Sequence, residues 1–208
     1  MKILPIRWII GLALLCLLNT NLSAQQKVPR PLVLSLFNNA TLLPGAGKLG
    51  VWGTPVHPGI SLGTEFLYSA RPHHDWFQTA RFAYHYHRYI QHSLQLMSEV
   101  GYRYHFGGPL DLESRFGLGY LHSISAAQIF ELNDGVYAQK TSLGRPQATA
   151  SLSLGLGYQL PATNAPRIFL AYQFYLQFPF VNEYVPILPN TALHLGLSLP
   201  FFHQKQGR

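Results

Sequence analysis

Histidine is the most plentiful chemically versatile side chain in this sequence: ten in 208 residues, against eight Asp and Glu together and a single Cys. His57, His85, His87, His92, His122 and His194 fall toward one end of the segments described below. His85 and His87, two residues apart, would project from one face of a strand, and neutral imidazoles are good ligands for zinc or copper. No carboxylate stands at an obvious ligand spacing beside them, so no metal site is expected; His85 and His87 are the residues from which one would have to start. The run His122-Ser123-Ile124-Ser125, with Glu131 further on, holds the ingredients of nucleophilic hydrolysis: a general base, a hydroxyl and an acid to orient the base. Its spacing matches no arrangement of that kind, and no catalytic residue is predicted. Neither a phosphate-cradling glycine loop nor a nucleotide fingerprint is present, and no cofactor is expected.

The ionisable residues fall into a second pattern, period two. Phe82, Tyr84 and Tyr86 alternate with Arg81, Ala83, His85 and His87. Val100, Tyr102 and Tyr104 alternate with Glu99, Gly101, Arg103 and His105, and Leu112, Phe116, Leu118 and Tyr120 oppose Asp111, Glu113, Arg115, Gly117 and Gly119. Such alternation marks a strand with one apolar and one polar face. With hairpin registers centred on residues 72, 91 and 108, Arg103 faces Glu113 and His105 faces Asp111. Glu99 then lies diagonal to Arg81, Arg115 and His85, and Glu65 diagonal to Arg81. Glu65, Arg81, Glu99, Arg103, His105, Asp111, Glu113 and Arg115 are thus expected to form one interior ion-pair network, as burial of an unpaired charge costs several kcal/mol.

The remaining sequence must supply a sheet that carries those faces. Similar runs occur at 60–68, 148–160, 168–178 and 193–201, and an eighth strand is expected within either 32–37 or 47–53. Most run 9 to 14 residues, longer than the roughly 5 or 6 usual in globular proteins and long enough for a tilted crossing of a bilayer, about 9 to 11. The chain is 48% hydrophobic with only 11% charged residues, and its 13 Phe, 12 Tyr and 3 Trp exclude a disordered chain. Lys2 and Arg7, the apolar run 8–18 and Leu22-Ser23-Ala24 read as a secretory signal over residues 1–24. Its removal takes the only cysteine, Cys16, and lowers the formal charge from +7 to +5. The remaining basic residues are dispersed, which argues against nucleic-acid binding.

If the last strand runs toward the periplasm, the connections 69–75, 107–109 and 161–166 are periplasmic. Those at 89–92, 123–145 and 181–190 are then external, and the longest falls on the external side, as outer-membrane barrels require. Glycines on the polar face, Gly101, Gly117 and Gly119, suit an interior where neighbouring side chains need room. Tyr68, Tyr86, Tyr104, Tyr120 and Tyr158 end the apolar runs, as interfacial aromatic girdles do.

With these strands, aromatic ends and a final strand closing on Phe201-Phe202, the chain resembles the small, eight-stranded outer-membrane β-barrels of Gram-negative bacteria. The resemblance implies an all-β, antiparallel up-and-down transmembrane barrel over residues 45–203. Residues 25–44 would precede it, with room for the first strand, and 204–208 would form a tail. It also implies export to the outer membrane, contact with outer-membrane lipid and lipopolysaccharide, and recognition by the outer-membrane assembly machinery; a monomer is expected.

The function expected is a non-enzymatic barrel with a packed polar interior and a structural or external-loop binding role. Phe130, Tyr137, Lys140 and Arg145, around the turn signal Asn133-Asp134-Gly135, would make the contacts. Two alternatives remain. Among barrel enzymes, the lipid A deacylases use a His-x-Ser pair with a Glu, and His122, Ser123, Ser125 and Glu131 are the nearest counterparts, although position 124 is Ile. A soluble, lipocalin-like periplasmic barrel would show the same alternation with its apolar face turned inward.

Overall fold

The computed structural model describes residues 30–44, 56–88, 90–126, 129–133, 136–140, 143–162, 165–180 and 184–200. Ten strands follow in chain order: β1 Leu32–Ala40, β2 Pro58–Ala70, β3 His74–His87, β4 Gln91–His105, β5 Leu110–Ser125, β6 Ile129–Asn133, β7 Val136–Lys140, β8 Arg145–Gln159, β9 Arg167–Phe178 and β10 Leu188–Leu199. Eight of them close an antiparallel barrel in the order β1-β10-β9-β8-β5-β4-β3-β2, while β6 and β7 pair as a separate two-stranded sheet. Barrel strands are joined to their sequence neighbours throughout, and β1 closes the ring against β10, Leu32 opposite Leu199 and Ala40 opposite Thr191.

Closure corrects the expected boundary of the barrel. It begins at Leu32, not at residue 45, because Leu32, Leu34 and Leu36 continue the outward apolar row and pair with Thr64, Leu62 and Ile60 of β2. The first of the two candidate positions therefore supplies the eighth strand. Residues 47–53, the signal segment 1–24, Phe201-Phe202 and the tail 204–208 lie outside the described residues.

The two ends of the barrel differ. At the end where β1 starts and β10 finishes, the connections are 71–73, 106–109 and 160–166; at the other they are 41–57, 88–90, 126–144 and 179–187. The end where β1 starts and β10 finishes has no link longer than 160–166, whereas the opposite end has the short link 88–90 but also the longer connections 41–57, 126–144 and 179–187, with β6–β7 in the longest. We call these the terminal and the loop end.

Register is set by the turns, and one turn is tighter than its sequence suggests. β2–β3 pairs about residue 72, with a shift between Leu67 and Ser69, and β4–β5 about residue 108 throughout. The β3–β4 link is only residues 88–90, closed by an Ile90 N–H to His87 carbonyl bond of 3.1 Å, and centres the hairpin on 89 rather than 91. Moving the centre by two residues shifts each pairing by four, which preserves the face each side chain occupies but changes its partners. Arg81 consequently faces Met97, Glu99 faces Thr79, and His85 faces Ser93, so His85 is not the diagonal neighbour of Glu99.

Side-chain direction is uniform around the ring. Leu36, Leu62, Phe82, Leu96, Phe116, Leu152, Leu170 and Leu195 are exposed on the outside, while Ser61, Arg81, Gln95, Glu99, Arg115, Ser153, Gln173 and His194 are buried inside. Three Phe residues also point inward, each beside a glycine across the strand pair: Phe37 and Gly59, Phe77 and Gly101, Phe169 and Gly196. A Cβ at any of the three glycines would stand 2.3 Å from the facing ring, so only glycine leaves space for it.

Candidate functional site

The lumen holds two polar systems stacked along the barrel axis. The one toward the terminal end is ionic. Arg103 Nη2 lies 3.0 Å from Glu113 and 3.0 Å from Glu65, and its guanidinium stacks over the Phe77 ring at 4.4 Å. Arg167 donates from Nε to Asp111 at 2.8 Å and from Nη2 to Glu113 at 2.9 Å. Nearer mid-barrel, the completely buried Glu99 accepts from Gln173 at 3.0 Å, Ser151 at 3.2 Å, Ser153 at 3.3 Å and Arg115 at 3.4 Å, with Arg81 at 3.5 Å. Arg115 also reaches Glu113 at 3.5 Å. Four guanidinium groups, Arg81, Arg103, Arg115 and Arg167, therefore meet four carboxylates, Glu65, Glu99, Asp111 and Glu113, and their formal charges cancel.

The structure brings all eight expected network residues into the lumen but redistributes their partners. Glu65 reaches across β3 to Arg103, not to Arg81. His105 donates to Asp75 at 2.8 Å, although Asp111 is its partner in register, because Asp111 is taken by Arg167. Arg167 and Asp75 escaped the sequence reading. Arg167 was legible: it shares its parity with the inward residues Phe169, Gln173 and Gln177 of β9. Asp75 was not, since the β2–β3 link could be read as a solvated turn.

Toward the loop end the lumen carries amides and imidazoles instead of charges. Gln177 bonds Gln91 at 3.1 Å and Gln147 at 2.6 Å, and the Tyr175 hydroxyl donates to Asn39 at 2.8 Å. His194 donates from Nε2 to Gln173 Oε1 at 3.1 Å and so accepts from Ser35 at Nδ1, 3.1 Å. His57 stacks on His87, ring centroids 3.6 Å apart and planes within 10°.

The outer face at the same end is an aromatic belt. Tyr84 hydroxyl lies 2.9 Å from His92 Nδ1, and Tyr120 hydroxyl 3.0 Å from His122 Nδ1. His122 Nε2 donates to the Leu143 carbonyl at 2.8 Å, fastening the return of the long connection to the barrel wall.

This geometry bears on the residues singled out for hydrolysis. His122 is on the outer face, whereas Ser123 is buried in the lumen and donates to Gln91. Ser125 has the inward parity of Ser123 and stands opposite Gln91 in register. Strand alternation thus separates His122 from both serines, and Ile124 is the residue that shares its face. The side chains of Phe130, Glu131, Tyr137 and Lys140 lie outside the described residues; their backbones belong to β6 and β7, with Leu132 paired to Tyr137 and Ile129 to Lys140. Arg145 donates to the Phe180 carbonyl at 2.9 Å and packs over that ring at 5.6 Å, so it ties β8 to the connection 179–187.

A barrel with leucine outside and arginine within is the reverse of a soluble one. Water cannot be the solvent of the outward face, which corrects the lipocalin-like alternative, and ring closure leaves the wall without an open strand edge, as a bilayer demands. The chain has the fold of a small, eight-stranded transmembrane β-barrel. No family model matches it, and no curated protein matches it either. Among solved structures, it is similar to the outer membrane enzyme PagL, with 13% identity and a TM-score of 0.46 over 81% of this chain and 99% of that one. Neisserial surface protein A is similar at 9% identity and a TM-score of 0.49, over 83% of this chain and 97% of its own. So is Ail, the attachment invasion locus protein of Yersinia pestis, at 13% identity and 0.45, over 85% and 100%.

Proposed function

We propose that this chain is a non-enzymatic barrel of the Gram-negative outer membrane, delivered by a cleaved signal peptide, whose filled lumen holds a binding hairpin rigidly outside the cell. The observation that carries the reading is the asymmetry of the two ends: links of no more than 160–166 at the end where β1 starts and β10 finishes, and at the other, beside the short link 88–90, the longer connections and a separate β6–β7 sheet. In an outer-membrane barrel the short turns face the periplasm, which puts β6–β7 outside. A lumen whose four Arg and four carboxylates neutralise one another is a structural filling rather than a path for ions. Loops on a rigid scaffold are where such proteins place specificity. Outer-leaflet lipopolysaccharide is the partner proposed for the hairpin, and Lys140 the cation that would meet its phosphates. The assembly machinery would read the last strand, β10.

The test compares the full chain with one in which residues 128–141 are replaced by a short Gly-Ser turn, both folded in detergent. Binding of purified lipopolysaccharide should fall sharply in the shortened chain while the barrel stays folded. Unchanged binding overturns the hairpin's role. Loss of an acyl chain from lipid A, seen by mass spectrometry and abolished by His122→Ala, would replace this reading with a hydrolase.

A further inference from the structure

Three imidazoles at the loop end of the lumen are buried without using all of their nitrogens. His57, His85 and His87 are each more than nine-tenths buried, yet His57 Nε2, His85 Nδ1 and His87 Nδ1 have no hydrogen-bond partner. Elsewhere in the described lumen the imidazole of His194 has partners on both nitrogens. A buried polar atom left unpaired keeps the desolvation penalty with nothing to offset it, so three at one place call for an explanation.

Their positions follow from the register. His85 faces Gly59 across β2–β3, and His57, two residues before Gly59, falls opposite His87. That places His57 and His87 side by side, and their rings stack. His85 is the next inward residue along β3. The tautomer of His57 is fixed as well: Nδ1 lies 3.1 Å from the Asn39 carbonyl, which can only accept, so Nδ1 carries the proton and Nε2 a bare lone pair. An imidazole whose one N–H is held by a backbone carbonyl while its other nitrogen stays free has the outer-shell arrangement of a metal ligand.

We propose that His57 and His87 bind one late transition-metal ion of the zinc or copper class. As they stand, no three His, Cys, Asp or Glu among the described residues surround a common point. Stacked rings direct their lone pairs in parallel, so capture of the ion requires the His87 ring to turn about its Cβ–Cγ bond. That turn breaks no hydrogen bond at His87 Nδ1. Neutral nitrogen donors without a carboxylate select borderline and soft ions over magnesium or calcium. The ion would pin the end of the 41–57 connection, where His57 sits, to the wall strand β3.

The experiment uses the full chain without a histidine tag, folded in detergent and stripped with chelator. Titration with Cu2+ should reach one ion per chain, and electron paramagnetic resonance should show nitrogen superhyperfine splitting from at least two imidazoles. His57→Gln and His87→Gln should each weaken binding by roughly tenfold or more, whereas His73→Gln with His74→Gln, in the opposite turn, should leave it unchanged. Circular dichroism checks that each variant remains a barrel. Absence of stoichiometric binding by the unaltered chain overturns the proposal without recourse to any variant. So does copper binding that survives in a folded His57→Gln, His87→Gln double variant, which would mark the ion as adventitious.

Discussion

Arg103 shows what a single residue does in this lumen. Its guanidinium serves Glu65 and Glu113 at once and lies on the Phe77 ring; Arg103, Glu113 and Phe77 are buried and Glu65 is partly buried. Arg103→Leu leaves Glu65 without its cation and Glu113 with only Arg167 and Arg115, and we expect a loss at the lower end of roughly 3 to 5 kcal/mol in denaturant unfolding of the barrel in detergent. Unchanged unfolding in both Arg103→Leu and Glu113→Leu would show that the pair contributes nothing. The ring beneath Arg103 sets a second expectation. Gly101→Val drives a side chain into Phe77, and overpacking of that kind costs about 1 to 3 kcal/mol. Phe77→Ala in the same chain should return part of that loss, so the two substitutions measured together must fall short of their sum. Additive losses would mean that the ring and the glycine do not meet.

At the scale of the element, the hairpin β6–β7 and the short links make opposite predictions about access. The connection 126–144 is the longest between barrel strands whose ends are both fixed, Ser123 opposite Arg145 at its base. Protease added to intact cells should cut within this connection and spare 71–73, 106–109 and 160–166. Cleavage confined to the short links would show that the barrel is inserted the other way up. The staples at the base of the loop end, His122 to the Leu143 carbonyl and Arg145 to the Phe180 carbonyl, are what keep that cut from loosening the wall. A cleaved chain should therefore retain the unfolding midpoint of the intact barrel.

For the whole molecule, the decisive quantity is the direction of the apolar face. Leu152 lies midway along β8 and faces outward, whereas Tyr158 faces outward near the terminal rim. If the outside is hydrocarbon, Leu152→Arg costs roughly 2 to 4 kcal/mol and Tyr158→Arg no more than about 1, because the penalty depends on depth. Equal small effects, measured by unfolding in lipid, would mean that the outer face meets water. The filled lumen adds a further expectation: the reconstituted barrel should carry no steady current across a planar bilayer, and sustained conductance would contradict the packing of its interior.

The strand pattern of this chain determined a great deal by itself. Period-two alternation from Arg81 to Tyr120 specified which residues face inward, because a strand offers only two faces. The place of the longest connection, 126–144, decided which end holds the loops. Parity also made Arg167 findable, although it was overlooked. What parity could not supply was the choice of partner among side chains already known to share the lumen. In a ring of eight strands, residues far apart in sequence stand across a narrow interior, so Gln173 of β9 meets Glu99 of β4, and Glu65 passes over β3 to reach Arg103. A two-residue difference in one turn moved His85 away from Glu99 without disturbing the pattern. Closure likewise decided the first strand: residues 32–40 carry the pattern weakly on their own, and only pairing with both β2 and β10 gives their polar backbone groups partners that a bilayer cannot provide. The stacking of His57 on His87 belongs to that same class of fact, since it depends on a register that a sequence without its turns cannot fix.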